Sequence, residues 1–417
     1  MQQFIKIIKI IIGGTFIVLS ILIIWINIQL HTDNFNKSET EKDILKQLNY
    51  LKYELNENKL GNKMQAIFPE GYLFSNALYG LAWCELGISD TSKTVKTIAQ
   101  QEALNAYQSI CSDEAKSVFN PSMTTQYGIF YLGWNNYLLS KILLLNPNFK
   151  NNDKYKKIFI EQCYVITDEL KKNNSPFLES YPTQSWPADM CVAMASIRNH
   201  DKLFYPKYDT IISDWVAKVK TKLDPKTKLI PHKVSYESGE TIEVTRGSSI
   251  SLILRFLSEI DTSFANEQYQ LYKENFVSTT FGLPSINEYP NGQSGNGDID
   301  SGPVLFGVGF AGTIVSIGTL SVFSDCEQAD KQYKTVNAFG FCTKTHNSKK
   351  YLLGQLPITD AFIAWSRSSG LNNRPDEKFN YSILWPIKFH LISLFTLIII
   401  WSFYYWKNIY KKIKRSQ

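Results

Sequence analysis

The feature that most constrains this chain is an alternation of two kinds of helix through its middle. One kind is amphipathic: residues 41–58 carry Ile44, Leu48, Leu51 and Leu55 on one side, and 207–223 carry Ile212, Trp215, Val219 and Leu223. The other kind is apolar nearly all round and rich in Gly, Ala and Ser: GYLFSNALYGLAWCELG, TTQYGIFYLGWNNYLLSKILLL, PADMCVAMASI, GSSISLILRFL, SGPVLFGVGFAGTIVSIGTL and ITDAFIAWS. Helices of that kind are buried on every side. They begin near Gly71, Thr125, Pro187, Gly247, Ser301 and Ile358, at intervals of 54, 62, 60, 54 and 57 residues. A period of that size marks a helical-hairpin repeat. Twelve helices in six outer-inner hairpins predict an all-α (α/α)6 toroid whose parallel inner helices open their N-termini at one mouth; an irregular solenoid is the other reading. One β-hairpin insertion is expected in LIPHKVSYESGETIEVTRG, where Ser238-Gly239 makes a turn between alternating residues.

Charge and hydropathy organise the ends. Residues 10–28 are uncharged and long enough to cross a bilayer, and residues 383–405 form a second apolar stretch ending in Trp401, Tyr404, Tyr405 and Trp406. A cleaved signal peptide is the competing reading of the first, but no small-x-small site follows it. The net charge of +6 is concentrated beyond these stretches, in Lys6 and Lys9 and in Lys407, Lys411, Lys412, Lys414 and Arg415, leaving the remainder near −1. Basic flanks place both termini in the cytoplasm and the middle outside it. So neutral a body lacks the basic stripe that nucleic-acid binding needs, so no nucleic acid is expected as a partner, and the lipid bilayer is. The expected division is an anchor at 1–30, a linker at 31–40, the toroid at 41–369, a linker at 370–382, a second transmembrane helix at 383–406, with Lys388 near its start, and a basic tail at 407–417.

Placing the inner helix starts on one rim gathers Glu70, Tyr72, Gln126, Tyr127, Tyr181, Gln184, Trp186, Asp189, Glu243, Arg246, Ser248, Ser249, Glu288, Tyr289, Asp298, Asp300, Ser301 and Asp360. Asp298 and Asp300 stand two apart in a glycine-rich loop ahead of a buried segment, and paired carboxylates push their pKa values apart for acid/base work. Helix capping and Ca²⁺ ligation are the alternatives for them, although no EF-hand pattern is present. Asp189 either stabilises its helix dipole or points a carboxylate into the cavity beside Trp186. Arg246 either binds a substrate anion or pairs with Asp298, Asp300 or Glu243. The candidate catalytic residues are therefore Asp298, Asp300 and Asp189. The candidate substrate contacts are Tyr72, Tyr127, Tyr181, Trp186, Arg246, Glu288 and Asp360, with no metal and no cofactor. The five histidines fall in no metal spacing, and no nucleotide or serine-hydrolase fingerprint is present. Six cysteines are read mostly as buried thiols, with Cys163 and Cys191 the one pair level enough across a hairpin to bridge.

The segments YPTQSWPADMCVAMASI, DPKTKLIPH, TRGSSISLILRFL, GDIDSGPVLFGVGFAGT and LPITDAFIAW resemble the six-hairpin toroid superfamily, most nearly the linalool dehydratase/isomerase-like domain in a version fused between membrane spans. The similarity covers roughly residues 60–369, and the D-x-D-S-G-P piece is its most distinctive part. It implies a cofactor-free acid/base site inside the toroid. Three functions follow as expectations. The first is an extracytoplasmic enzyme acting on a glycan or glycoside with Asp298 or Asp300 as acid and Asp189 as base. The second is a dehydratase-type lyase or isomerase on an isoprenoid or lipid alcohol. The third is a non-catalytic envelope binding protein.

Overall fold

The computed structural model describes residues 2–32, 35–90, 92–148, 152–299, 301–379, 382 and 384–416. A long first helix, α1 (Gln2–Gln29), leads into six helical hairpins. Outer α2 (Lys37–Asn56) and inner α4 (Gly71–Ser89) form the first, with the short α3 (Leu60–Gln65) between them. Outer α5 (Lys93–Ile110) pairs with inner α7 (Gly128–Leu145) past the one-turn α6 (Asp113–Lys116), and outer α8 (Asn152–Lys172) with inner α9 (Pro187–Leu203). Outer α10 (Asp209–Lys220) and inner α11 (Gly247–Ile260) enclose the hairpin β1 (Lys233–Val234) and β2 (Thr241–Glu243). Outer α12 (Thr262–Asn275) reaches inner α13 (Phe310–Val322) through two hairpins, β3 (Val277–Thr280) with β4 (Leu283–Ile286) and β5 (Val304–Leu305) with β6 (Val308–Gly309). Outer α14 (Cys326–Phe339), the hairpin β7 (Thr343–Lys344) with β8 (Lys349–Lys350) and inner α15 (Pro357–Ser368) complete the ring before the final α16 (Ile387–Ser416).

The ring closes. Inner helices pack in the order α4, α7, α9, α11, α13, α15, and α15 returns to α4, while α2, α5, α8, α10, α12 and α14 lie against them from outside. Burial follows the two sequence classes: α4 is buried from Leu73 through Gly87 almost without interruption, whereas α2 buries mainly the stripe of Ile44, Gln47, Leu48 and Leu51. The axis of the ring is filled. Trp134 of α7 meets Phe256 of α11 at 5.6 Å and Trp365 of α15 at 6.1 Å, although none of these three helices are ring neighbours. Phe74 of α4 completes this layer at 5.2 Å from Trp134. Nearer the C-terminal ends of the inner helices, Glu85, Lys141 and Arg255 form a buried ion network, with Lys141 at 2.8 Å and Arg255 at 2.8 Å from the same carboxylate oxygen.

Several expectations are corrected. The outer helix of the first hairpin starts at Lys37, inside the expected linker, because Asn36 and Glu39 form a capping box. The fifth inner helix starts at Phe310 rather than Ser301: positive φ at Phe306 and Gly307 turns the stretch before it into β5–β6. Among the described residues there are four hairpins where one was expected. The start of the expected linker 370–382 is packed on the toroid: Leu371 is buried and Arg374 binds the Phe35 carbonyl and Asp330. Cys163 and Cys191 do not bridge; all six cysteines are free, and the Cys163 sulfur instead accepts from Asn136 Nδ2 at 3.4 Å.

The terminal helices form an antiparallel pair. Residues Ile7–Gln29 and Ile387–Trp406 are long and apolar enough to cross a membrane, and their side chains are largely exposed. Polar rungs join them: Ser20 accepts from Trp401 Nε1 at 3.1 Å, Asn27 donates to Ser393 at 3.0 Å, and His31 meets His390 at 2.8 Å. This register puts both chain ends on the side away from the toroid. Lys388, which as an intramembrane charge would be costly, lies in the first turn of α16, against Gly282 of the β3–β4 turn.

Candidate active site

The mouth is assembled by segments that cross the inner helix starts at contact distance. A Cβ at Gly128, whose φ is +82°, would stand 2.2 Å from the Ser180 carbonyl oxygen, and one at Gly247 would stand 2.0 Å from that of Asn287. Only glycine permits these approaches. They deliver Tyr181 to the start of α7 and Glu288 to the start of α11, where the Gly247 N–H donates to the Glu288 carbonyl at 2.8 Å.

Arg246 is the hub. As N-cap of α11 it is almost wholly buried, with its Nε donating to Glu288 Oε1 at 2.8 Å and its Nη1 bonded to Asp298. Glu288 is also held by the Ser248 hydroxyl at 2.7 Å and the Ser248 N–H at 3.2 Å, so its carboxylate acts as a clamp on the helix start. Burial raises the Glu288 carboxyl, and the Ser248 and Arg246 donors pull it back. Asp298 differs, with its side chain 45% exposed. Against partial burial, the Arg246 and Ser301 donors hold its carboxyl well below the ordinary carboxylate range, so it stands ionised at the rim. Ser301 N–H donates to Asp298 Oδ1 at 2.9 Å, closing a turn rather than capping a helix, because no helix starts there. The third guanidinium nitrogen, Arg246 Nη2, is buried and has no hydrogen-bond partner among the described residues. A buried orphan donor beside an exposed carboxylate is a ready contact for a ligand oxygen.

His232, absent from the expected site, joins this group. Its Nδ1 bonds Ser249 Oγ in the first turn of α11, and its Nε2 lies 3.9 Å from Glu243. Burial, then the Arg246 charge, pushes the imidazole down to about 4, which keeps it neutral at physiological pH. The only hint in the sequence was a histidine within the predicted hairpin segment; its partner Ser249 arrives from the helix beyond it.

A second cluster lies along the rim. Tyr181 bonds Glu70 through its hydroxyl and meets Trp186 edge to face at 5.6 Å, and Lys233 stands over the Trp186 ring at 4.7 Å while donating to Gln184 at 2.9 Å. Tyr127, in the left-handed region at the start of α7, packs on Tyr131 at 5.3 Å, and the half-buried Tyr72 ring lies on Gly61 of α3. Asp189 occupies the first turn of α9 and is buried. Asp360 is not brought to the mouth. It is fully buried and turned toward α2, where Oδ1 accepts from Gln47 at 3.2 Å and from the Tyr351 N–H at 3.1 Å, and burial pushes its carboxyl well up. Asp300 lies outside the described residues. Among the described residues no three His, Cys, Asp or Glu side chains gather as metal ligands.

A separate cavity of about 450 Å³ opens at the other end of the ring, lined by Glu85, Lys141, Lys202, Arg255 and Glu259 among others. No sequence motif announced it, because its charges come one or two at a time from four inner helices.

No family model matches the chain, and no curated protein matches it. Among solved structures, a glycoside hydrolase of family 105 from C. acetobutylicum aligns at 14% identity over 70% of this chain and 93% of its own, with a TM-score of 0.47. A family 76 α-mannanase from Bacteroides thetaiotaomicron aligns at 12% identity over 72% of this chain and 86% of its own, with a TM-score of 0.44. Alignments this loose transfer no chemistry, and the (α/α)6 ring stands on the chain's own closed circle of inner helices.

Proposed function

We propose, from the side chains of the mouth, that this is a membrane-anchored, extracytoplasmic toroid that hydrolyses a glycan or glycoside by carboxylate acid/base chemistry. The observation that carries it is the Arg246 centre: one guanidinium holds a buried carboxylate and an exposed ionised one, and keeps a buried Nη2 unspent. Asp298, held ionised, suits the base rather than the acid first expected of it. In this reading Asp298 takes a proton from water as the water oxygen bonds the anomeric carbon, and a second carboxyl, Asp189 or Asp300, protonates the departing glycosidic oxygen. Arg246 Nη2 donates to a sugar hydroxyl or carboxylate, and the half-exposed Tyr181 and Trp186 rings offer the apolar faces on which a sugar ring rests. Neutral His232 serves as a hydrogen-bonding group, not as a cation.

The resemblance to the linalool dehydratase/isomerase-like domain supports a cofactor-free acid/base site. A dehydratase acting on an isoprenoid or lipid alcohol is less well served, because Phe74, Trp134, Phe256 and Trp365 occupy the axis where an apolar substrate tunnel would run. Basic residues at both chain ends support cytoplasmic termini and a toroid on the outer side. The test is to incubate the full chain in detergent with envelope glycans in heavy-oxygen water. Hydrolysis places solvent oxygen in the newly formed sugar end; products without solvent oxygen point to elimination and overturn the hydrolytic reading.

A further inference from the structure

The β3–β4 and β5–β6 hairpins carry an apolar surface that the toroid does not cover. Phe281 and Phe306, at the two turns, meet edge to face at 5.0 Å, yet Phe306 is 80% exposed and Phe281 44%. Leu305, next to Phe306 in the β5–β6 hairpin, is also exposed. Single exposed apolar residues are ordinary, but a cluster of this kind is characteristic of an interaction surface.

This patch is continuous with the place where the terminal helices leave the toroid. A Cβ at Gly282, the residue after Phe281, would stand 2.5 Å from Lys388 Cβ in the first turn of α16. The next residue, Leu283, packs with Leu30 and Ala338 against Ile26, Trp385 and Phe389, and Phe339 meets Phe389 at 5.9 Å. The same hairpins frame the site. Glu288 follows β4 and donates its N–H to the Gly307 carbonyl at 2.9 Å, and Asp298 precedes β5.

We infer that Phe281, Leu305 and Phe306 enter the interfacial layer of the bilayer that holds α1 and α16, setting the mouth at the membrane surface. The inference rests on reading those two helices as spans. Aromatic and aliphatic side chains partition readily into that layer. Because the spans already tether the hairpins, their insertion is effectively intramolecular. Continuity with the span entry favours lipid over a second copy of the chain as the occupant.

The test uses the full chain in vesicles, after flotation confirms that it travels with them; failure to float overturns the span reading and the inference together. Phe306→Trp, Leu305→Trp and Tyr205→Trp are compared with the parent protein in ordinary and brominated phosphatidylcholine. Tyr205 is exposed beyond the C-terminal end of α9, at the opposite end of the ring, and serves as control. The added emission at 306 and 305 should fall by about half or more in brominated lipid, as expected for side chains roughly 5–10 Å into the interface, and that at 205 should not. Equal responses at 306 and 205 overturn the inference. So does an emission at 306 that is shielded from aqueous acrylamide but indifferent to brominated lipid, which would mark a protein contact instead.

Discussion

At the scale of single residues, Arg246 bears first on stability. Its removal leaves Glu288 buried without its counter-charge, so Arg246→Ala should lose about 3 kcal/mol of stability in denaturant unfolding, well beyond an exposed ion pair. His232 gives a pH signature. Its folded pKa, near 4, lies below the ordinary value of about 6.5, so the folded state favours the neutral ring. That contribution is present above about pH 6.5 and is lost as pH falls toward 4, at most roughly 3 kcal/mol. Thermal unfolding of the parent should therefore weaken across that window, and His232→Gln should flatten the slope. Asp298 has the same sign at lower pH: its depressed carboxyl is ionised throughout the neutral range, so the acid limb of kcat/KM should fall below the usual carboxylate region. An acid limb near neutrality would exclude Asp298 as the base. Of these groups, Arg246 was legible in the sequence at an inner helix start, and Glu288 and Asp298 as acids in the glycine-rich stretch ahead of the next inner helix, although that helix begins only at Phe310. His232 was not, because its partners Ser249 and Arg246 meet it only after the β1–β2 hairpin folds back.

Among the elements, the glycines at the helix starts decide whether the mouth forms. Gly247→Ala would drive a methyl into the Asn287 carbonyl and should cost about 2–3 kcal/mol and displace Glu288. Gly14→Ala in α1, with open space around it, should be close to neutral in the same unfolding assay. The outer and inner helices were readable because wet-faced and all-apolar segments alternate at a fixed period. The start of α13 was misread for a physical reason: GDIDSGPVLFGVGFAG is small and apolar, as an inner helix should be, and the positive φ of Phe306 leaves no mark in composition. Two-residue strands are likewise too short to display alternation.

For the whole molecule, the pairing of α1 with α16 requires both termini on one side of any membrane they cross. Reporter fusions at the two ends should report the same, cytoplasmic, side, and a tag in the exposed β1–β2 hairpin the other. With the hairpin rim at the bilayer surface, a glycan carried on a lipid should be turned over faster than the same glycan free in solution. The ring closure was legible from the six-fold period, whereas the filling of its axis was not, since Trp134, Phe256 and Trp365 converge from helices that are not neighbours in the ring. The most direct measurement is mass spectrometry of envelope glycan and lipid-linked glycan extracts incubated with the reconstituted parent and with Asp298→Asn, each first shown to unfold at a similar temperature. The parent should yield a hydrolysed species that the Asp298→Asn protein does not. Equal product from both proteins, or none from the parent across those extracts, would contradict a carboxylate site at the mouth.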